Sequence, residues 1–304
     1  MDTERINAVD ASIPGSQIYG QSKTNWLHNN GVAERDNYLV ATARWQGVFG
    51  YDKNETLKWI ISPHKDWEEA YKPYLLQPLD RNGEAITDEA VLNGLKPHPD
   101  FEWVWGVHCP NILPNGHILV FDNGYCRDFI PRLTNNPESY SRVVEYEIDE
   151  KKKTIRQVWQ YGKERGRECY SSAISGVQYL PETDNRLFCP GQDNRLSDGT
   201  TGGRIIEIDP RTGEVVFELE VNTNTCASAF HRANRISLYP ERAGETEEAH
   251  AGRVYRSLSQ RISLDAQRMV TRGFLTCMPE KEERIYAFVR LGYRIGPAVV
   301  RDLT

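Results

Sequence analysis

The sequence predicts an all-β protein, a β-propeller of four-stranded antiparallel blades, partial in extent and carrying a C-terminal appendage. Three observations predict it. The chain consists of short β-type runs separated by Asp, Asn and Gly turns, with no sustained helical period. One four-run layout occurs three times. In each occurrence the third run alternates and stops at an aspartate. A β-sandwich with irregular hairpins is the other architecture such runs permit.

The first unit reads Asn30–Ala33, Tyr38–Thr42, Gly47–Tyr51 and Leu57–Ile61. The second reads Asn111–Leu113, Ile118–Phe121, Arg142–Ile148 and Thr154–Tyr161. The third reads Ile174–Leu180, Leu187–Cys189, Arg204–Ile208 and Val215–Val221. The outer hairpins carry the repeat most clearly, as Val48-Phe49-Gly50-Tyr51-Asp52, Val144-Glu145-Tyr146-Glu147-Ile148-Asp149 and Ile205-Ile206-Glu207-Ile208-Asp209. Polar turns follow (KNET, EKKKT, PRTGE), then a strand rich in Trp, Val or Phe. Asp and Gly suit those turns because they reach the required backbone conformations and Asp bonds locally.

A fourth unit is expected to begin at Cys226–Tyr239. Closed propellers use about four to eight blades, so the chain is expected either to form part of a propeller or to close by dimerisation as a homo-oligomer. Two insertions, Ser62–Glu102 and Asp128–Tyr140, interrupt the repeat and are expected to be functional loops at one mouth. The blades are assigned to residues 1–240, and 241–304 to a polar linker (GETEEAHAG) and an Arg-rich appendage. Within the appendage Tyr255–Met269 suits an amphipathic helix, and its role is expected to be that of a tail or packing arm.

Composition narrows the function. With 39% hydrophobic and 26% charged residues in 304, the chain can bury a full core and is neither disordered nor a disulfide miniprotein. A net charge of −6 gives no footing for a nucleic-acid or anionic-membrane partner. No run approaches the roughly 20 apolar residues a spanning helix needs, and MDTERINAVDASIPG has no secretory-signal pattern. The six cysteines, at 109, 126, 169, 189, 226 and 277, form no CxxC, and mostly free, buried thiols are expected.

The repeat also works as a ruler. Aligning Glu34, Pro114 and Pro181 puts His28, His108 and Ser175 six residues earlier, where each innermost strand opens. Side chains there line a propeller's channel, so the two histidines are expected to face one pocket; histidines held by backbone carbonyls are the plainer alternative. Asn111 follows His108 by three residues, and Arg127 ends FDNGYCR beyond the next strand. A guanidinium and a carboxamide beside imidazoles would clamp a sulfate, phosphate or carboxylate, while an imidazole serves as base or nucleophile. An ion pair with Asp122 or Asp128 is the alternative for Arg127. His231, in FHRANR, is positioned to reach the channel; His64, His98 and His117 are weaker candidates. Trp103 and Trp105 fit either an aromatic wall for a planar substrate or the core. No metal-ligand spacing, GxGxxG, Walker A loop or GxSxG elbow occurs, so no metal or cofactor is expected.

From Trp26 to Pro240 these words, with WLHNN, RWQG, WIISPHKDW, FEWVWGVHCPNILPNGHILVFDNGYCR, CYSSAIS and HRANRISLYP in order, resemble the bacterial arylsulfotransferase family. The resemblance implies a six-bladed propeller and transfer of a sulfuryl group from a phenolic sulfate ester to a phenol, without a nucleotide donor, through a sulfated histidine. It implies aryl sulfates and phenols as partners and a mainly periplasmic setting. His28 and His108 match family active-site histidines, Arg127 the arginine that binds sulfuryl oxygens, and Asn111 the active-site asparagine; Trp105 and His231 are further candidates for substrate contact. Two positions depart from the pattern. The family's nucleophilic histidine is expected just after the strand in LFCPGQDNR, where Gln192 or Asn194 stands, and an RHQ-like stretch reads Arg44-Trp45-Gln46. A non-catalytic propeller that binds a ligand or protein is the competing function, distinguished by saturable binding without product; a truncated gene product with neither activity is the third.

Overall fold

The computed structural model describes residues 27–129, 138–222, 229–236 and 246, and the backbone of 298–301. The chain divides into two compact units, residues 1–234 with 297–304 and residues 235–296. Of the second unit only 235, 236 and 246 are described, so most of the expected appendage, with the helix expected at Tyr255–Met269, lies outside the described residues.

The first unit is built of β-sheets. Strands β1 (Asn29–Arg35), β2 (Tyr38–Ala43), β3 (Gly47–Asp52) and β4 (Leu57–Ile61) form an antiparallel meander in chain order. In the second sheet β5 (Gln77–Leu79) adds in parallel to a meander of β6 (His108–Ile112), β7 (Ile118–Asp122), β8 (Arg142–Asp149) and β9 (Thr154–Tyr161). The third joins β10 (Gly176–Leu180), β11 (Asn185–Cys189), β13 (Thr201–Ile208) and β14 (Val215–Val221), with β12 (Asn194–Arg195) on β13 and β15 (Ala298–Arg301) on β14. The three repeated units are therefore three four-stranded meanders. Where the fourth unit was expected, 229–236 carry no strand and the rest lies outside the described residues.

Local chemistry explains the turns. The Asp52 carboxylate accepts from the Asn54 and Thr56 amides, Asp149 from Lys151 and Lys152, and Asp209 from Arg211. Each closes its outer hairpin as an Asx turn.

Packing explains the strand sequences. All of β7 is buried, because the second sheet is covered on both faces. Alternation sends Ile118 and Val120 into a core with Val40, Val48 and Trp59 of the first sheet. It sends Leu119 and Phe121 into a core with Val177, Phe188 and Ile206 of the third. Phe121 stacks on Phe188 at 5.2 Å between centroids. Each such side chain contributes about 1.5–3 kcal/mol by leaving water.

The insertion 62–102 also carries regular structure. It contains β5 and a short helix, α1 (Glu89–Leu92), capped by the Asp88 side chain. Its Leu76, Ile86, Val91 and Phe101 enter the core between the first two sheets. Apolar residues spaced through a polar segment made this insertion part of the core. Most of the second insertion, 130–137, lies outside the described residues. Cys109, Cys126, Cys169 and Cys189 are free and buried. Among the described residues no helix is long and apolar enough to cross a membrane.

Candidate active site

The three meanders bring together two kinds of position: the start of each first strand, and the residue just past each second strand. The first set is His28, His108 and Ser175; the second is Arg44, Asn123 and Pro190. Pairing is interrupted between Asn29 and Gly31 on β1 and between His108 and Asn111 on β6. A bulge of this kind re-aims the side chain beside it. The backbone turns left-handed there, with φ of 47° at His28, 51° at Cys109 and 82° at Ser175.

His108 is 2% exposed. Its Nδ1 lies 2.9 Å from the Gly106 carbonyl and 2.7 Å from the Asn123 Oδ1. The Asn123 amide cannot be reversed, because its Nδ2 donates to the Ser171 and Ile174 carbonyls at 2.8 and 3.1 Å. Both neighbours of His108 Nδ1 are thus acceptors, and Nδ1 must carry the hydrogen. Burial, then the Arg44 charge, pushes the His108 pKa down to about 3. The ring is neutral at pH 7, and Nε2 holds a lone pair.

His28 is half-buried, its pKa lowered by burial and by Arg44, and its ring meets Trp45 edge-on at 6.4 Å. The His231 ring lies 6.4 Å from that of His108, and its backbone carbonyl accepts from the Ser175 amide. Arg44, 5% exposed, acts electrostatically on both His28 and His108. Its Nη2 donates to the Ser172 carbonyl at 3.0 Å, and its guanidinium lies over the Trp45 and Tyr125 rings at 4.9 and 5.4 Å.

Arg127 stands in a buried ion network. It donates to Asp122 at 3.0 Å and Glu102 at 3.4 Å, and lies 4.1 Å from the Tyr140 ring centroid. Arg142 bonds the same Asp122 oxygen at 2.8 Å, while Lys163 pairs with Glu102. Burial alone would raise the Glu102 carboxyl, but Arg142, Arg127 and Lys163 outweigh it and bring the pKa to about 2. The other oxygen of Asp122 accepts from the Trp105 and Gly124 amides at 2.9 and 3.0 Å. Asp122 thus fixes both chain segments that hold His108. Gly124 at φ 73° takes a left-handed turn so close to the Tyr140 carbonyl that a Cβ would collide with it.

Asn111 ties β6 to β10. Its Nδ2 donates to the Val177 carbonyl and its Oδ1 accepts from the Tyr179 amide, both at 3.2 Å. Trp103 and Trp105 are not in a strand; both enter the core between the first two sheets, and Phe129 packs edge-on against Trp105 at 5.0 Å. His64 faces the Leu76 carbonyl, His98 accepts from the Asp100 amide, and His117 pairs with Glu145. Gln192 bonds the neighbouring Asp193, and Asn194, which opens β12, donates to the Tyr170 and Gln192 carbonyls. Among the described residues no three His, Cys, Asp or Glu side chains are grouped to hold a metal ion.

Two members of this cluster, Arg44 and Asn123, escaped the sequence argument. Both were within reach of the same ruler moved one strand along, to the residue following β2, β7 and β11.

Repeated antiparallel meanders whose strand ends gather imidazoles and a guanidinium define an all-β protein with an anion-suited polar site. The chain belongs to the arylsulfotransferase (ASST) family, whose model matches residues 1–232. An arylsulfate sulfotransferase AssT from an Escherichia coli O6:H1 strain is 38% identical over 214 residues, covering 69% of this chain and 35% of that protein. The arylsulfate sulfotransferase AssT of Lelliottia amnigena is 34% identical over 223 residues, covering 72% and 36%. The chain spans about a third of the length of these relatives.

Proposed function

We propose that the three sheets are consecutive blades of a propeller and that their shared strand ends transfer a sulfuryl group from an aryl sulfate to a phenol. The observation that carries this reading is the neutral His108, with Nδ1–H committed and a lone pair on Nε2. In the first half-reaction Nε2 bonds the sulfur, the sulfur–aryl oxygen bond breaks, and the aryl oxygen leaves with the electron pair as phenolate. In the second, the acceptor phenol's oxygen bonds the sulfur as its proton passes to a base, and the nitrogen–sulfur bond breaks. His28 is suited to take that proton, being half-buried and held neutral by its surroundings.

Arg44 supplies the positive charge. A sulfate ester seated beside it offsets the repulsion it exerts on the imidazoles, so bound substrate raises the basicity of His108 when nucleophilicity is needed. Arg127, which the resemblance implies holds sulfuryl oxygens, is here engaged by Asp122 and Glu102, and in this reading it steadies the turn behind His108. Asn111 likewise steadies β6 against β10, Trp105 backs the site from the core, and His231 stands edge-on to the His108 ring.

The test is release of a chromogenic phenol from its sulfate ester, with and without an acceptor phenol. Acceptor-dependent release, lost in His108→Ala, with one SO3 group trapped on the peptide containing His108, is the expected result. Gln192 or Asn194 in the place where the family's nucleophilic histidine is expected favours the second reading, a non-catalytic binding module. Saturable binding of an aryl sulfate with no release, by protein that melts cooperatively, would establish that instead.

A further inference from the structure

Of the groups clustered around His108, one is neither a proton donor to substrate nor a charge, yet it is wholly buried and every polar atom of its side chain is used. Asn123 is 0% exposed. Its Nδ2 is held by two carbonyls of the 171–174 loop, and its backbone carbonyl accepts from Ser141 Oγ at 2.7 Å. Asp122, one residue earlier, has its carboxylate turned to Trp105, Gly124, Arg127 and Arg142. The only polar atom of Asn123 that faces the histidine is Oδ1, and its orientation is imposed by the third sheet's approach loop.

We propose that Asn123 is a positioning residue that locks His108 in the Nδ1–H tautomer and aims Nε2 at the reacting centre. This rests on the reading of His108 as the nitrogen that meets the sulfuryl group. The Gly106 carbonyl shares the Nδ1 hydrogen, so Asn123 adds what that carbonyl lacks, a second point that fixes the plane of the ring. An amide does this without charge. A carboxylate at 123 would also accept from Nδ1, but it would hold the ring as imidazolium and remove the Nε2 lone pair. Among the described residues, the charged or titratable groups that act on His108 from neighbouring elements are Arg44, from the first sheet, and His231, from the segment after the third. Neither opposes Nδ1, so the tautomer depends on Asn123 and Gly106.

The experiment is nitrogen NMR of imidazole-labelled protein over pH 5–8, with sulfuryl-transfer kinetics on the same samples. In the wild-type chain Nδ1 should give a protonated-type signal and Nε2 an unprotonated one, neither moving with pH. An Nε2–H tautomer, or an imidazolium in that range, overturns the proposal. Asn123→Asp should bring the His108 protonation midpoint, which lies below this window in the wild-type chain, up into pH 5–8 and carry the acid limb of the kcat profile with it. A profile that keeps its shape at reduced height would mean Asn123 is structural only and would also overturn it. Should the Asp variant fail to fold, Asn123→Ala is read by the same spectra: mixed tautomers and a tenfold or larger loss of kcat at little-changed KM support the lock, and wild-type spectra refute it. A protein with no transfer but the expected wild-type spectrum keeps the lock and loses the enzymatic reading. Transfer with the wrong tautomer does the reverse.

Discussion

At the scale of single residues, the two arginines near the histidines have opposite tasks. Arg44 lies against aromatic rings beside the imidazoles, and Arg127 lies among carboxylates. Arg44→Ala should therefore lower acceptor-dependent transfer by about 10²-fold or more, as loss of a preorganised charge does, and should shift His28 titration upward. A variant with wild-type kcat/KM would remove Arg44 from the site. Arg127→Ala should act first on stability, because it leaves Asp122 and Glu102 buried with fewer counter-charges, at a cost of about 3–5 kcal/mol. Differential scanning calorimetry checks it, and an unchanged Tm with abolished transfer would return Arg127 to the role of clamp. The FDNGYCR arginine and its ion pair with Asp122 were visible in the sequence, but its second partner was not. Glu102 lies 25 residues upstream, and only the fold brings it to Arg127.

The His108 ring also carries a pH signature. Its folded pKa, about 3, lies below the ordinary 6.5, so beneath pH 6.5 the unfolded chain takes up a proton that the folded ring refuses. Stability is full above pH 6.5 and falls as pH drops toward 3, by about 2 kcal/mol at pH 5. Glu102, brought from 4.5 to about 2, stabilises above pH 4.5 and ceases to do so as pH falls to 2. Urea titrations at pH 7 and pH 5 should show the first loss, and His108→Gln should reduce it, leaving the share of His28, whose pKa is also lowered.

At the scale of elements, the strands of the three meanders were legible because each outer hairpin alternates and ends in an aspartate whose carboxylate closes the turn. Strand β6 was an exception. It starts at His108, three residues ahead of the expected Asn111, since a bulge and a left-handed Cys109 conceal the alternation, and β13 likewise starts at Thr201, three residues ahead of the expected Arg204. The contribution of the 62–102 insertion to the core was not legible for a related reason. Its apolar residues follow no period of 2 or 3.6, and their burial is decided by the neighbouring sheets. The same applies to Trp103 and Trp105, whose spacing suggested one strand face although the segment is irregular.

At the scale of the whole first unit, polar contacts at the site end cross from one sheet to the next. Ser141 Oγ accepts from the Ser171 amide and Arg44 reaches Ser172, while within the third sheet the Gly191 amide donates to Ser175 Oγ. A local opening of the third sheet would release His108's support as well. Native-state hydrogen exchange should therefore show the Ser171, Ser175 and Gly191 amides exchanging with one common opening free energy. Independent values, with Ser171 exchanging near the rate of a free peptide, would mean that the sheets move separately.

The burial of β7 on both faces has a consequence for how such a site can be retuned. Consecutive residues answer to different neighbours: Leu119 and Phe121 to the third sheet, Ile118 and Val120 to the first. A change of volume at one alters a single wall of the site, and the next codon alters the other. Only the main chain is common to both, and it runs directly into Asp122 and Asn123. The spacing of the walls around the imidazole can thus drift, or be engineered, one side at a time while the ring stays where it is.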